Sequence, residues 1–268
     1  MATVTLADGR HYSYRESGRG DVLVLLHGWS MSSAVFQEVM AGLATKYRVL
    51  APDLSGHGTS EAAGVNFDLD TLAGDLEEWL AQLEIDTMHL LGWSLGGQVA
   101  LQLVHRRRVL VEKLILVATT PLFVSNLEWE HGLPPTQVRA MDRQIQRHYE
   151  QSMGEFFRLM FEGEDLTPER YRVIIRFAVR EGSLPTREIS RTGLKVLGTT
   201  DIRSLLPGLQ LPVLVHYGTL DLITLPAAGR YLAEQIPGAR QVVWDHVGHA
   251  PFLSRPADSV TLWLDFLQ

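Results

Sequence analysis

Six short and almost unbroken apolar runs punctuate the chain, at residues 22–26, 47–51, 88–92, 113–118, 213–217 and 241–245. Runs of this kind suit strands covered on both faces, and the amphipathic patterns between them supply the crossovers that parallel strands require. Leu69, Leu72, Leu76, Leu80 and Leu83 show the pattern well, because spacings of three and four residues place them on one helical stripe. The expected fold is therefore α/β, with a mostly parallel central sheet flanked by helices and a hairpin near the start turning at Asp8-Gly9. From Pro121 to about Thr200 the strand rhythm gives way to helical patterns broken by proline and glycine, and it resumes at Leu211-Pro212-Val213. This predicts a core made of residues 1–120 and 201–268, interrupted by a helical cap over residues 121–200.

Composition narrows the classes of function. With 268 residues, 46% of them hydrophobic and 21% charged, the chain can bury a sizeable core. A net charge of -7 gives no general attraction for nucleic acid or anionic lipid, and no apolar run is long enough to span a bilayer. There is no cysteine, which excludes disulfides, thiolate nucleophiles and cysteine zinc sites together. The first residues lack the basic start and apolar stretch of a secretory signal, so a cytoplasmic location is expected.

One run leads directly into chemistry. The strand His89-Leu90-Leu91 enters Gly92-Trp93-Ser94-Leu95-Gly96, and a helical pattern starts beyond it. A serine hydroxyl is a poor nucleophile unless it is exposed on a tight turn, backed by a base and placed beside donors for a developing oxyanion. This strand-turn-helix context supplies the first condition and marks Ser94 as the nucleophile. For the base, serine, acid and histidine follow one another in chain order on loops after successive strands. His249, in Val247-Gly248-His249-Ala250-Pro251-Phe252 after the last strand, fits best, with His246 as the nearby competitor. Asp221, just beyond the run at 213–217, fits as the acid that orients the imidazole, whereas Asp245 lies too near His249 and Asp53 precedes the serine. The backbone amides of Leu95 and of Trp29, after the strand at 22–26, are the expected oxyanion donors, and Trp29 also offers an aromatic wall. This chemistry calls for no cofactor and no metal.

Together, His27-Gly28, Asp53-x-x-Gly56-His57-Gly58-x-Ser60, Gly92-x-Ser94-x-Gly96, Asp221 and Gly248-His249 resemble the α/β-hydrolase superfamily over nearly the full length. Within it, His27-Gly28-Trp29, Gly92-Trp93-Ser94-Leu95-Gly96-Gly97, Thr200-Asp201-Ile202-Arg203, Tyr217-Gly218-x-Leu220-Asp221 and His249-Ala250-Pro251-Phe252 look similar to the pimeloyl-acyl-carrier-protein methyl ester esterases of biotin synthesis. The resemblance implies hydrolysis of a carrier-linked methyl ester. It also implies substrate contacts at Trp29, Ser94, Leu95, His249 and a cap-helix stretch of Phe157, Arg158, Leu159, Met160 and Phe161. The alternatives are a general short-chain esterase, lactonase or carbon-carbon bond hydrolase with the same residues, or a non-hydrolytic ligand receptor on the same fold. Serine at 94 disfavours the dehalogenase and epoxide hydrolase branches, which carry aspartate there.

The cap's arginines bear on the partner. Arg139, Arg143 and Arg147 recur every four residues on one expected helix, and Arg172, Arg176 and Arg180 do so on another. Val138, Met141 and Ile145, and Tyr171, Ile174, Ile175 and Ala178, mark the opposite, buried faces. Residues 121–200 hold 11 basic and 11 acidic side chains, leaving 13 and 20 elsewhere, so the cap is the relatively basic part. The expectation is a monomer whose cap docks an acidic acyl carrier protein, set against the simpler reading of an ordinary solvated helix face.

Overall fold

A computed structural model describes residues 1–64, 67–180 and 183–268, apart from the side chain of Arg180. The chain starts with the hairpin β1 (Ala2–Thr5) and β2 (His11–Ser17), closed by the Leu6 amide donating to Arg10 O at 2.9 Å. It then alternates through β3 (Val22–Leu26), α1 (Gln37–Leu43), β4 (Arg48–Pro52), α2 (Leu69–Gln82), β5 (Thr87–Trp93), α3 (Leu95–Arg106) and β6 (Leu110–Val117). Four helices follow: α4 (Pro135–Arg147), α5 (Tyr149–Leu159), α6 (Pro168–Ile175) and α7 (Arg187–Thr199). The alternation resumes with β7 (Val213–Gly218), α8 (Pro226–Gln235), β8 (Arg240–Trp244), α9 (Pro251–Ser254) and α10 (Pro256–Leu267).

The eight strands form one sheet in the order β1-β2-β4-β3-β5-β6-β7-β8. Pairing is antiparallel from β1 to β4 and parallel through the rest. The central strands β3, β5 and β7 are buried almost end to end, as their apolar runs require. Two strands depart from the expected pattern. β6 begins at Leu110 rather than 113, because Leu110 pairs with Thr87 even though its side chain points into solvent. β8 is not covered on both faces: as the sheet's edge it leaves Arg240, Gln241 and Val243 exposed and half-buries only Val242 and Trp244.

The leucine stripe of α2 packs as its spacing predicts, with Leu69, Leu72, Leu76 and Leu80 buried and Leu83 half-buried at the C-cap. Asp68 caps the helix by accepting from the Thr71 amide at 2.8 Å. The second arginine stripe needs a correction. Regular α geometry ends at Ile175, and Arg176–Arg180 form a π-helical turn, so the four-residue spacing does not run along one continuous α-helix. Among the described residues no helix is long and apolar enough to cross a membrane.

Candidate active site

Ser94 sits between the end of β5 and the first residue of α3, with φ 56° and ψ -119°. That conformation is strained for a residue with a side chain, so the surroundings must impose it. They do so from both sides: the Ser94 amide donates to Val117 O at 3.0 Å, and the Thr119 hydroxyl donates to Ser94 O at 2.6 Å. The turn also has to pass close to β3. A Cβ at Gly96 would lie 2.2 Å from Leu26 O, which is why glycine stands there.

Asp221 and His249 meet after β7 and β8. His249 Nδ1 lies 2.8 Å from Asp221 Oδ2, and both side chains are about 1% exposed or less. The carboxylate's other contacts come from its own loop: Oδ1 accepts from the amides of Ile223 at 2.8 Å and Thr224 at 2.9 Å, and the Thr224 hydroxyl reaches Oδ2 at 2.8 Å. With Nδ1 donating to the acid, Nε2 carries the lone pair; it is buried and has no hydrogen-bond partner among the described residues. The ring lies beside the serine turn, because the Trp93 indole donates to His249 O at 2.8 Å and the two rings are 5.5 Å apart.

The remaining candidates sort by burial and partners. His246 is exposed, its Nε2 3.5 Å from Asp245 Oδ2, while Asp245 accepts from the Thr219 hydroxyl, so neither enters the buried cluster. Asp53 is buried but committed to the Ser33 and Thr59 amides at 2.7 and 2.9 Å. His27 Nε2 accepts from the Leu54 amide at 2.9 Å and its Nδ1 donates to Gly28 O, which ties together the ends of β3 and β4. Burial lowers its pKa, and burial together with neighbouring His27 takes His57 down to about 3, so both rings stay neutral.

The amide of Leu95 opens α3 and therefore has no acceptor within the helix. Like the Trp29 amide, it donates to no other group among the described residues. The Trp29 side chain is nearly fully buried against α5 and α7: its indole N–H donates to Ser190 O at 2.7 Å, and its ring meets Phe156 edge-on at 4.7 Å. In and beyond α5, Phe157, Met160 and Phe161 are buried and Leu159 is half-buried, while Arg158 faces solvent and stands apart from that row. Arg139, Arg143, Arg147, Arg172 and Arg176 are exposed, opposite the buried Ile145 and Ile174; the side chain of Arg180 lies outside the described ones. Among the described residues no group of three or more His, Cys, Asp or Glu side chains is placed to hold a metal ion.

Three contributors were not visible from motif order. Trp93 and Thr224 hold the base and the acid, and the carbonyl of Met160 accepts from the His249 amide at 2.8 Å. A threonine three residues after the acid is a local turn signature that could have pointed to Thr224. A backbone carbonyl leaves no such trace.

Comparison with known proteins identifies the family. The family profile described as alpha/beta hydrolase fold matches residues 21–256. A pimeloyl-[acyl-carrier protein] methyl ester esterase of Nitrosomonas europaea is 36% identical over 247 residues, covering 91% of this chain and 95% of that protein. One of the same name from Aeromonas hydrophila is 35% identical, covering 93% and 96%. Among solved structures, an esterase from Exiguobacterium antarcticum superposes with a TM-score of 0.91 at 23% identity, covering 99% of this chain and 98% of that one. An enol-lactonase from Burkholderia xenovorans gives 0.85 at 24%, covering 99% of both. Those two likenesses, below 25% identity, speak for the fold, whereas the first two relatives are 35% or more identical over nearly the whole chain. This chain belongs to the α/β-hydrolase fold family and, within it, to the pimeloyl-[acyl-carrier protein] methyl ester esterases.

Proposed function

We propose that the chain hydrolyses the methyl ester of a pimeloyl group held on acyl carrier protein, a step of biotin synthesis, and that Ser94, His249 and Asp221 carry the reaction. Ser94 Oγ attacks the ester carbonyl while His249 Nε2 takes its proton. The carbonyl oxygen, now negative, is received by the amides of Leu95 and Trp29, and donors of this kind are worth about 3 kcal/mol each in a dry site. His249 then gives the proton to departing methanol. Water activated by the same nitrogen releases the carboxylate from the acyl-enzyme. Asp221 holds Nδ1–H throughout and stabilises the imidazolium.

The observation that carries this reading is the buried Asp221–His249 contact at 2.8 Å, which leaves Nε2 without a partner on a ring that lies 5.5 Å from that of Trp93, the residue before the strained Ser94. Residues 121–200 act as a cap, with Trp29, Phe157, Met160 and Phe161 as the apolar substrate surface. The exposed arginines of α4 and α6 offer guanidinium groups to an acidic carrier. The enzyme works as a cytoplasmic monomer.

Incubation with pimeloyl-carrier methyl ester, followed by mass spectrometry of the carrier, should show loss of one methyl group. Ser94→Ala should lower the rate by at least about 10³-fold with the fold intact. Near-normal turnover by that variant would overturn the nucleophile. Hydrolysis of p-nitrophenyl esters with none of the carrier-linked ester would return the protein to the general esterases.

A further inference from the structure

The loop that carries His249 changes allegiance at Gly248. Val247 O still accepts from the Leu220 amide at 2.8 Å, within the core. The next two amides turn to the segment after α5: Gly248 donates to Glu164 Oε1 at 2.8 Å, and His249 donates to Met160 O at 2.8 Å. The approach is close enough to dictate the residue, since a Cβ at Gly248 would lie 2.3 Å from Met160 O and 3.0 Å from Glu164 Oε1.

Of these two acceptors, only Glu164 is a side chain. Its carboxylate sits in an unfavourable place, where burial raises its pKa and the Asp221 charge adds to the effect, partly offset by the Gly248 amide, Ser254 and Arg255. The neighbouring acidic side chains, Glu162 and Asp165, are both exposed. A carboxylate kept half-buried beside the acid–base pair, on the segment that also buries Phe157, Met160 and Phe161, does more than solvate a turn.

We propose that Glu164 is a positioning residue for His249: by holding the Gly248 amide it fixes the loop that aims Nε2, and it links the base to the helix that faces the acyl chain. The inference rests on the reading of His249 as the base. Small displacements of a reacting group cost about 10²-fold in rate, so the effect belongs in kcat.

The test uses the full-length enzyme and p-nitrophenyl butyrate, well below each variant's melting temperature. Glu164→Ala should lower kcat about 10- to 100-fold with KM within about threefold. Glu164→Gln keeps an oxygen acceptor for the Gly248 amide and should recover to within about threefold of wild type. Glu162→Ala should change neither constant. Should Glu164→Ala fail to fold, Glu164→Met, of similar length and without the oxygen, takes its place. Unchanged kcat in the variant lacking the acceptor, or equal losses in it and in Glu164→Gln, would overturn the proposal. His249→Ala separates the two layers: near-normal turnover there would remove the base assignment itself, while its loss beside an unaffected Glu164→Ala would remove only the positioning role.

Discussion

Asp221 is fixed almost entirely by its own loop, where two amides and a hydroxyl within three residues converge on the carboxylate. Arg139, Arg143, Arg147, Arg172 and Arg176 stand exposed, opposite the buried Ile145 and Ile174 and the partly buried Val138, Met141, Tyr171 and Ile175, and Arg172 pairs with Glu169 in its own helix. The loops at the strand ends therefore hold one arrangement, while the inserted helices present charge that can rearrange around a partner. Exposed ion pairs contribute little to stability, about 0–1 kcal/mol each, so such a surface can be spent on recognition. On the proposed function, the difference separates what decides the reaction from what decides its substrate.

The strongest way to break that division is through the acid. Asp221→Asn keeps the shape but offers His249 Nδ1 an amide in place of a charge, which loses both the tautomer and the stabilised imidazolium. We expect kcat to fall about 10³- to 10⁴-fold with every ester, carrier-linked or free. A loss confined to the carrier-linked ester would show that the strand-end loops do not set the chemistry.

The helices give a smaller and selective effect. Charge reversal at Arg143 and Arg176, both exposed, should raise KM for the carrier-linked ester about 10-fold and leave p-nitrophenyl butyrate within about twofold. The wild-type advantage on the carrier should shrink as salt is raised from about 0.05 to 0.5 M, because screening acts on exposed charges. Equal effects on both substrates would reduce these stripes to solvated helix faces.

The same division explains what could be read from the sequence. The positions of Ser94, Asp221 and His249 were legible because each follows an apolar strand, and chain order alone paired Asp221 with His249, which meet at 2.8 Å. The sheet order was not legible, since pairing β4 between β2 and β3 depends on contacts distant in the chain. Nor was the exposure of β8: an edge strand can carry the same apolar letters as a central one. In the helices, spacing gave the buried faces of α4 and α6 but not the π-helical turn at Arg176–Arg180, because a five-residue turn barely disturbs a three-and-four pattern. The ties between helices and core escaped most completely. Ser190 O on the Trp29 indole and Met160 O on the His249 amide are backbone acceptors that any residue could supply.

The core also holds a polar group without such support, and it gives the smallest test. His216, on β7, is fully buried against Trp244 with ring centroids 4.3 Å apart, and neither ring nitrogen has a hydrogen-bond partner among the described residues. Burial lowers its pKa to about 3, against about 6.5 when unfolded. Between those values the unfolded chain binds the extra proton, so this residue's contribution to stability falls as pH drops from about 6.5 toward 3. His57 behaves in the same way. Burial also lowers the pKa of His27 and His89, so His216→Leu removes one of several protons taken up on unfolding. In urea unfolding, wild type should lose more stability than the variant between pH 7.5 and pH 5, by about 2 kcal/mol. At pH 7.5 the variant should be no less stable, because it also removes unpaired buried nitrogens that cost about 1 kcal/mol or more. If both proteins lose the same stability on acidification, His216 is charged or hydrated in the folded state, and the core is less dry than its partnered groups around Asp221 indicate.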